Sequence, residues 1–239
     1  MRNFVDNQIA YFFNQFVHRT PVVDALVFQV SHNHLFKGAV LLSIICYAWF
    51  KSNIEDLISK KKGFLLIFIV AVFAEFIARA IALLSPFRYR PIYDPELHLQ
   101  APYSVNEWIL NGWSSFPSDH ASLFFAISLS IYFLHKRSGM AALAYTILFI
   151  ALPRLWLGFH FLTDELVGAA IGCFSAWVGY TYLIHTQAVD KLVAFSERKP
   201  EYFYPLLMLF AGQLYEMFES ARDFFPIFRW AIKVLLFQS

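Results

Sequence analysis

The sequence predicts an all-α fold, a polytopic membrane bundle of about five to six transmembrane helices preceded by amphipathic N-terminal helices. Three observations predict it. The chain is 59% hydrophobic, 19% aromatic and only 15% charged, with a mean hydropathy of +0.52, which is too apolar for an ordinary soluble domain. Apolar segments recur through all 239 residues with only short polar breaks between them. The densest lysines and arginines gather in two short loops, the pattern of a chain that crosses a membrane repeatedly.

Residues 4–31 are interrupted by Asn14, Gln15, His18, Arg19, Pro21 and Asp24, which suits amphipathic helices lying in the interface better than a full span. The first convincing span is 35–50, LFKGAVLLSIICYAWF, followed by 64–85, 121–135, 140–158 and 166–185. Several are short against the ~20 residues of a usual membrane helix, so their ends are expected to extend into flanking polar residues. After Pro200 come an apolar stretch, 203–218, and the segment FFPIFRWAIKVLLF, each able to span or to lie on the surface. This organisation fits one membrane-embedded domain over 1–239, with a core at about 64–185 and 200–239 as a C-terminal extension. The start, MRNFVDNQIAYFFNQFVHR, lacks the basic patch, continuous apolar run and cleavage site of a signal peptide, so the mature chain is expected to begin there.

The net charge of +2 is the difference between 19 basic and 17 acidic residues, which argues neither for nucleic acid nor for a strongly anionic partner, and no nucleic-acid partner is expected. Cys46 and Cys173 each lie inside an apolar run and offer neither a disulfide framework nor a cysteine metal site. Charge placement says more than charge sum. The loops KSNIEDLISKKK at 51–62 and HKR at 135–137 should be cytoplasmic. The helix 64–85 then exits to the outside, 121–135 returns and 140–158 runs out again. Three polar patches distant in sequence therefore meet on the extracytoplasmic side.

The first patch, PFRYRP at 86–91, holds Arg88 and Arg90 between stiffening prolines. A guanidinium matches phosphate oxygens and stays charged at any working pH; interfacial anchoring to lipid headgroups is the alternative. The second, SSFPSDH at 114–120, puts Ser118 and the backbone N–H of Asp119 at the start of a helix, an anion cradle with His120 beside it. Simple capping of that helix by Ser118 or Asp119 is its alternative. The third is PRLWLGFHFLTD at 153–164, where His160 and Asp164, at i and i+4, share a face if the segment is helical, with Arg154 on the approach. Half a metal site is the competing reading there, and Arg154 disfavours it, since a cation beside divalent metal ligands is unfavourable.

In order, spacing and sidedness these patches resemble the type 2 phosphatidic acid phosphatase family of membrane lipid phosphatases. Its signature stretches, K-x6-RP, PSGH and SR-x5-H-x3-D, match Arg90-Pro91, Pro117-Ser118-Asp119-His120, and Arg154 with His160 and Asp164. The resemblance runs from about 64 to 185. Three departures stand out: Leu83 occupies the lysine position, Asp119 the glycine position and Pro153 the serine position. Arg88 is the first substitute for the lysine and Arg79 the second, although Arg79 stands four residues after Glu75 and could simply neutralise it.

The resemblance implies a two-step phosphoryl transfer without metal or cofactor. In that scheme His160 is the nucleophile, Asp164 fixes its tautomer, and His120 is the general acid and then the base. Arg90, Arg154, Ser118, Asp119 through its backbone N–H, and Arg88 hold the phosphate oxygens. The implied partners are membrane lipids and a lipid phosphate substrate, with undecaprenyl diphosphate the first choice. A weak likeness of residues 5–31 to the start of bacterial undecaprenyl-diphosphate phosphatases points the same way. Transfer of phosphate to an acceptor lipid would use the same residues, and a non-catalytic lipid-binding scaffold is the rival of another class. Trp108, Trp113 and Trp156 suit an interfacial belt, and the loop 92–113 suits a cover over the site.

Overall fold

The computed structural model describes residues 3–51, 55–103, 105 and 112–217. All regular structure among them is helical. The chain divides into two compact units, 1–193 and 194–239.

The first unit opens with two short helices, α1 (Phe4–Asn14) and α2 (Pro21–His32), of 11 and 12 residues. Each is too short to cross a bilayer at 1.5 Å per residue. After Asn33 the chain enters a π-helical turn, Leu35–Ala39, and continues as α3 (Val40–Lys51). α2 and the Leu35–Lys51 helix meet at a bend of 62° and together pass as one broken span.

α4 (Leu57–Leu84) is a continuous 28-residue helix, started by Asp56, whose carboxylate accepts the N–H groups of Ile58 and Ser59. α5 (Asp119–Leu134) has 16 residues and sits at the centre of the bundle. Its small residues Ala121, Ser122, Ala126, Ser128 and Ser130, as well as Leu123, Phe124 and Ile131, have no exposed surface. A helix apolar all round and enclosed by other helices needs no lipid face of its own. α6 (Lys136–Tyr145), a π-helical stretch at Thr146–Ala151 and α7 (Leu152–Trp156) form one 21-residue apolar span. Pro153 has no N–H to donate back along the helix, and the wider π turn before it accommodates the lost bond. α8 (Leu162–Thr181) completes the core and packs on α5 and α4.

Three of these helices are long and apolar enough to cross a membrane, four with the bent pair counted as one, and α5 is a shorter apolar helix among them. The multi-pass membrane bundle expected from composition is thus present, with fewer full-length spans among the described residues than the five to six expected. The outward faces carry Phe50, Phe76, Leu83, Leu84, Leu166 and Phe174, all more than half exposed in the absence of lipid.

Two glycines set the distance between α5 and α8. A methyl group on Gly168 would overlap the Ser118 carbonyl, and one on Gly172 the Ser122 carbonyl. This close backbone approach, one helical turn apart on α8, brings the start of α5 against the start of α8.

The second unit contains the end of α9 (Gln187–Arg198) and α10 (Pro200–Tyr215), a 16-residue helix over most of the 203–218 stretch. The segment FFPIFRWAIKVLLF, and Trp108 of the 92–113 loop, lie outside the described residues.

Candidate active site

The three patches converge at one end of the bundle, and backbone hydrogen bonds sew them together. Ser115 N–H donates to the Arg88 carbonyl at 2.9 Å, Ile92 N–H to Gly158 at 3.0 Å and Ser118 N–H to Asp164 at 3.1 Å. Gly158 turns the chain with φ +67°, a conformation a side chain disfavours, and faces Ile92 across that contact.

This turn corrects one expectation. His160 and Asp164 do not share a helical face, because α8 begins only at Leu162 and Phe161 is its extended N-cap. Asp164 is the third residue of the helix, and its Oδ2 accepts the Phe161 N–H at 2.8 Å, closing the first turn there. His160 therefore sits in the tight segment between two helices, 2% exposed.

The orientation of His160 is likewise set differently from expectation. Its Nδ1 lies 2.8 Å from the Ser115 carbonyl and 3.8 Å from Asp164 Oδ2. A carbonyl only accepts, so Nδ1 carries the proton and Nε2 the lone pair. At 3.8 Å the carboxylate acts on the ring through its charge alone. Arg90 Nη1 lies 3.2 Å from Nε2 and donates to the Phe159 carbonyl at 2.8 Å. Burial, reinforced by the Arg90 charge, pushes the imidazole down to about 4, so it is neutral and nucleophilic at neutral pH. Arg90 is itself lowered to about 10 by burial and then by Arg154, and remains a cation.

Arg154 is 5% exposed, with its guanidinium 5.8 Å from the Phe159 ring and under the opposing charges of Asp119 and Glu165. Ser118 is fully buried and caps α5, its Oγ accepting the Ala121 N–H at 3.2 Å. The capping alternative for Ser118 is thus realised, while the hydroxyl proton stays able to donate elsewhere.

At the second patch, the Asp119 carboxylate carries an interaction the sequence did not announce. Its Oδ1 accepts from His120 Nδ1 at 2.9 Å, and its Oδ2 pairs with Arg79 Nη2 at 2.5 Å. With Nδ1 engaged, Nε2 is the nitrogen of His120 that can exchange a proton with a ligand. Arg79 pairs with Asp119 of α5, one helix away from the Glu75 of its own helix.

Arg88 stands elsewhere than expected. Its guanidinium is held by Asp164 Oδ1 at 2.6 Å, Asp6 Oδ2 at 2.7 Å and Thr163 Oγ1 at 2.9 Å, over the Phe161 ring. Two carboxylates thus occupy the fork that would grip a phosphate. Leu83 is 87% exposed in the last turn of α4, whereas Arg79, one turn earlier on the same face, reaches Asp119. Among the described residues, no group of three His, Cys, Asp or Glu side chains is placed to hold a metal ion.

Four contributors escaped the sequence reading. Ser115 offers only a backbone carbonyl, which no side-chain pattern reveals. Asp6 and Thr163 join Arg88 from a distant helix and from beside Asp164. Lys37 is 6% exposed within the π-helical turn and acts electrostatically on His120. A lone lysine inside the apolar run 35–50 was a legible signal for a functional position. Trp156 stacks on Phe16, two residues after α1, at 5.8 Å.

Buried guanidinium groups around an oriented imidazole, between membrane-spanning helices, define the class: a multi-pass membrane protein with a cluster of cations and histidines at one end of its bundle. The sequence model of the PAP2 superfamily matches residues 63–187, more than half of the chain, and the chain belongs to that superfamily. Over 63 residues it is 40% identical to the bacitracin transport permease protein BcrC of Bacillus licheniformis, a match covering 26% of this chain and 30% of that one. It therefore spans under a third of that relative. It is 24% identical over 204 residues to lipid A 1-diphosphate synthase of Escherichia coli K12, covering 81% of each chain. It is also 24% identical over 149 residues to undecaprenyl-diphosphatase BcrC of Bacillus subtilis 168, covering 62% of this chain and 69% of that one. Among solved structures, a transmembrane PAP2-type phosphatidylglycerolphosphate phosphatase from Bacillus subtilis matches 74% of this chain and 83% of its own, at 21% identity and a TM-score of 0.49.

Proposed function

We propose that this protein is an integral membrane lipid phosphatase that hydrolyses a polyprenyl diphosphate, undecaprenyl diphosphate first, on the extracytoplasmic side through a phosphohistidine and without metal. The observation that carries the reading is His160 itself: Nδ1–H donates to Ser115, so the Nε2 lone pair faces the Arg90 guanidinium, where a phosphate would sit. An aligned nucleophile beside a buried cation is what in-line attack on phosphorus requires.

In the first step Nε2 of His160 bonds to the terminal phosphorus while the bridging P–O bond breaks. His120 Nε2 gives its proton to the departing oxygen. In the second step His120, now neutral, takes a proton from water, whose oxygen bonds to phosphorus as the P–N bond breaks, regenerating His160 and releasing phosphate. Arg90, Arg154 and Arg79 supply the positive field around the transferring group, with Ser118 and the Asp119 backbone N–H at the helix start. Asp119 positions His120, and Asp164 opposes the positive charge that develops on His160.

The diphosphate assignment rests on two supports. The Bacillus subtilis relative is named an undecaprenyl-diphosphatase, and Lys37 is a buried cation whose charge is felt at His120. A leaving group that is itself a lipid monophosphate suits a cation there. The extracytoplasmic orientation rests on the basic stretches at 57–62, the start of α4, and 135–137, the start of α6, which chain direction puts at the opposite end of the bundle. The likeness to lipid A 1-diphosphate synthase over 81% of the chain supports a second reading, transfer of the phosphoryl group to an acceptor lipid.

Phosphate release from a panel of purified lipids, with and without an acceptor lipid, tests the proposal beside His160→Ala. The expected result is release from polyprenyl diphosphate that survives a chelator and falls by on the order of 10²-fold or more in the variant. Equal activity in His160→Ala removes the nucleophile assignment, inhibition by the chelator restores the metal reading, and a phosphorylated acceptor establishes transfer.

A further inference from the structure

Asp6 lies on α1, far outside the matched residues 63–187, yet it is 1% exposed on a helix whose Phe4, Val5, Tyr11 and Phe12 are all exposed. A carboxylate is buried in such a place only when its oxygens are satisfied. Oδ1 accepts the Thr163 N–H at 2.9 Å; Oδ2 accepts the Thr163 hydroxyl at 2.6 Å and Arg88 Nη2 at 2.7 Å. The other arm of Arg88 ends on Asp164 Oδ1 at 2.6 Å.

We propose that Asp6 is a positioning residue for the nucleophile: by sharing Arg88 with Asp164, it keeps one uncompensated negative charge beside His160. The proposal rests on the reading of His160 as nucleophile. Two carboxylates and one guanidinium sum to minus one. Arg88 alone with Asp164 would form a neutral pair, leaving the imidazole against Arg90 at 3.2 Å without the residual negative charge of Asp164. Attack on phosphorus puts positive charge on that imidazole, so the residual negative charge favours the transition state over the resting state. Anchoring of α1 is secured separately. Trp156 stacks on Phe16, and Asn14 exchanges two hydrogen bonds with the Gln100 backbone, at 2.8 and 3.1 Å.

The test uses the full chain in detergent with a polyprenyl diphosphate as probe. Asp6→Asn keeps the shape and an acceptor for the Thr163 N–H but removes the charge. A fall in kcat of about tenfold or more with KM unchanged is expected. In an Arg88→Gln background the same change should cost nothing further, because the effect travels through Arg88. Additive losses, or an equal loss in the tether variant Asn14→Ala, would show that α1 acts only as scaffold and would overturn the proposal. Should Asp6→Asn fail to fold, Arg88→Gln decides alone: kcat kept at constant KM supports positioning, because Asp164 retains its negative charge, whereas lost kcat or a raised KM gives Arg88 a role of its own and overturns it. His160→Ala reports separately on the underlying reading, since activity retained there removes the nucleophile whatever Asp6 does.

Discussion

Arg79 of α4 and Asp119 of α5 form an ion pair at 2.5 Å, and the same carboxylate accepts a hydrogen bond from His120. Two departures from the family pattern, leucine at 83 and aspartate at 119, are therefore linked. Arg79 stands one turn before position 83, and the carboxylate in place of glycine holds it next to His120.

Arg79→Leu should lower kcat/KM by about 10²-fold, the scale for losing a charge-assisted contact and leaving a half-buried carboxylate without its cation. Adding Leu83→Lys in that background should not restore activity, since position 83 is 87% exposed in the last turn of α4, beyond the Arg79–Asp119 pair. Steady-state kinetics on the single and double variants check this, and full rescue would contradict the role given to the Arg79–Asp119 pair.

Lys37→Met should separate two substrate classes. With a diphosphate the loss should be about 10- to 100-fold, the size of a charge-assisted hydrogen bond, whereas a lipid monophosphate should lose little. Parallel kinetics on one lipid of each class decide it. An equal loss on both would place Lys37 with the transferred phosphate instead of the leaving group.

His160 has a sign-specific pH signature. Its folded value of about 4 lies below the ordinary value of 6.5, so between those limits the unfolded chain binds a proton that the folded chain refuses. Stability is thus fully present above pH ~6.5 and falls as pH drops toward ~4, by up to about 3 kcal/mol at ~1.4 per unit. Thermal unfolding in detergent should show a shallower decline across this window for His160→Gln than for the wild type. Identical slopes would mean that the imidazole is not held neutral.

Gly168→Ala puts a methyl group against the Ser118 carbonyl, an overlap that only backbone movement can relieve. The expected cost is about 1–3 kcal/mol of stability. Because the shift parts the start of α5 from that of α8, kcat should fall by about 10²-fold, the usual effect of a misplacement near 1 Å. Melting temperature and turnover of the variant measure both, and wild-type turnover would show that helix spacing does not set the site.

Much of this was legible in the chain. PRLWLGFHFLTD, SSFPSDH and PFRYRP are contiguous stretches with charged or capping side chains, and loop charge alone put them at one end of the bundle. What escaped depends on contacts between segments far apart in sequence. Asp6 reaches Arg88 across 82 residues, and the Ser115 carbonyl reaches His160 across 45. The presumed helix through His160 failed for a local reason, a left-handed Gly158 followed by a capping Asp164 that starts α8 later.

The sequence by itself determined the helical membrane class, the order of the motifs and the residue types at the site, because hydrophobic length and motif spacing are properties of the unfolded chain. Only the tertiary structure decided which charge meets which. Arg88 was fixed as a clamp on Asp164, Arg79 as the partner of Asp119 and Ser115 as the acceptor for His160, since ion pairs and hydrogen bonds are selected by distances of a few ångströms that exist only once the helices have packed.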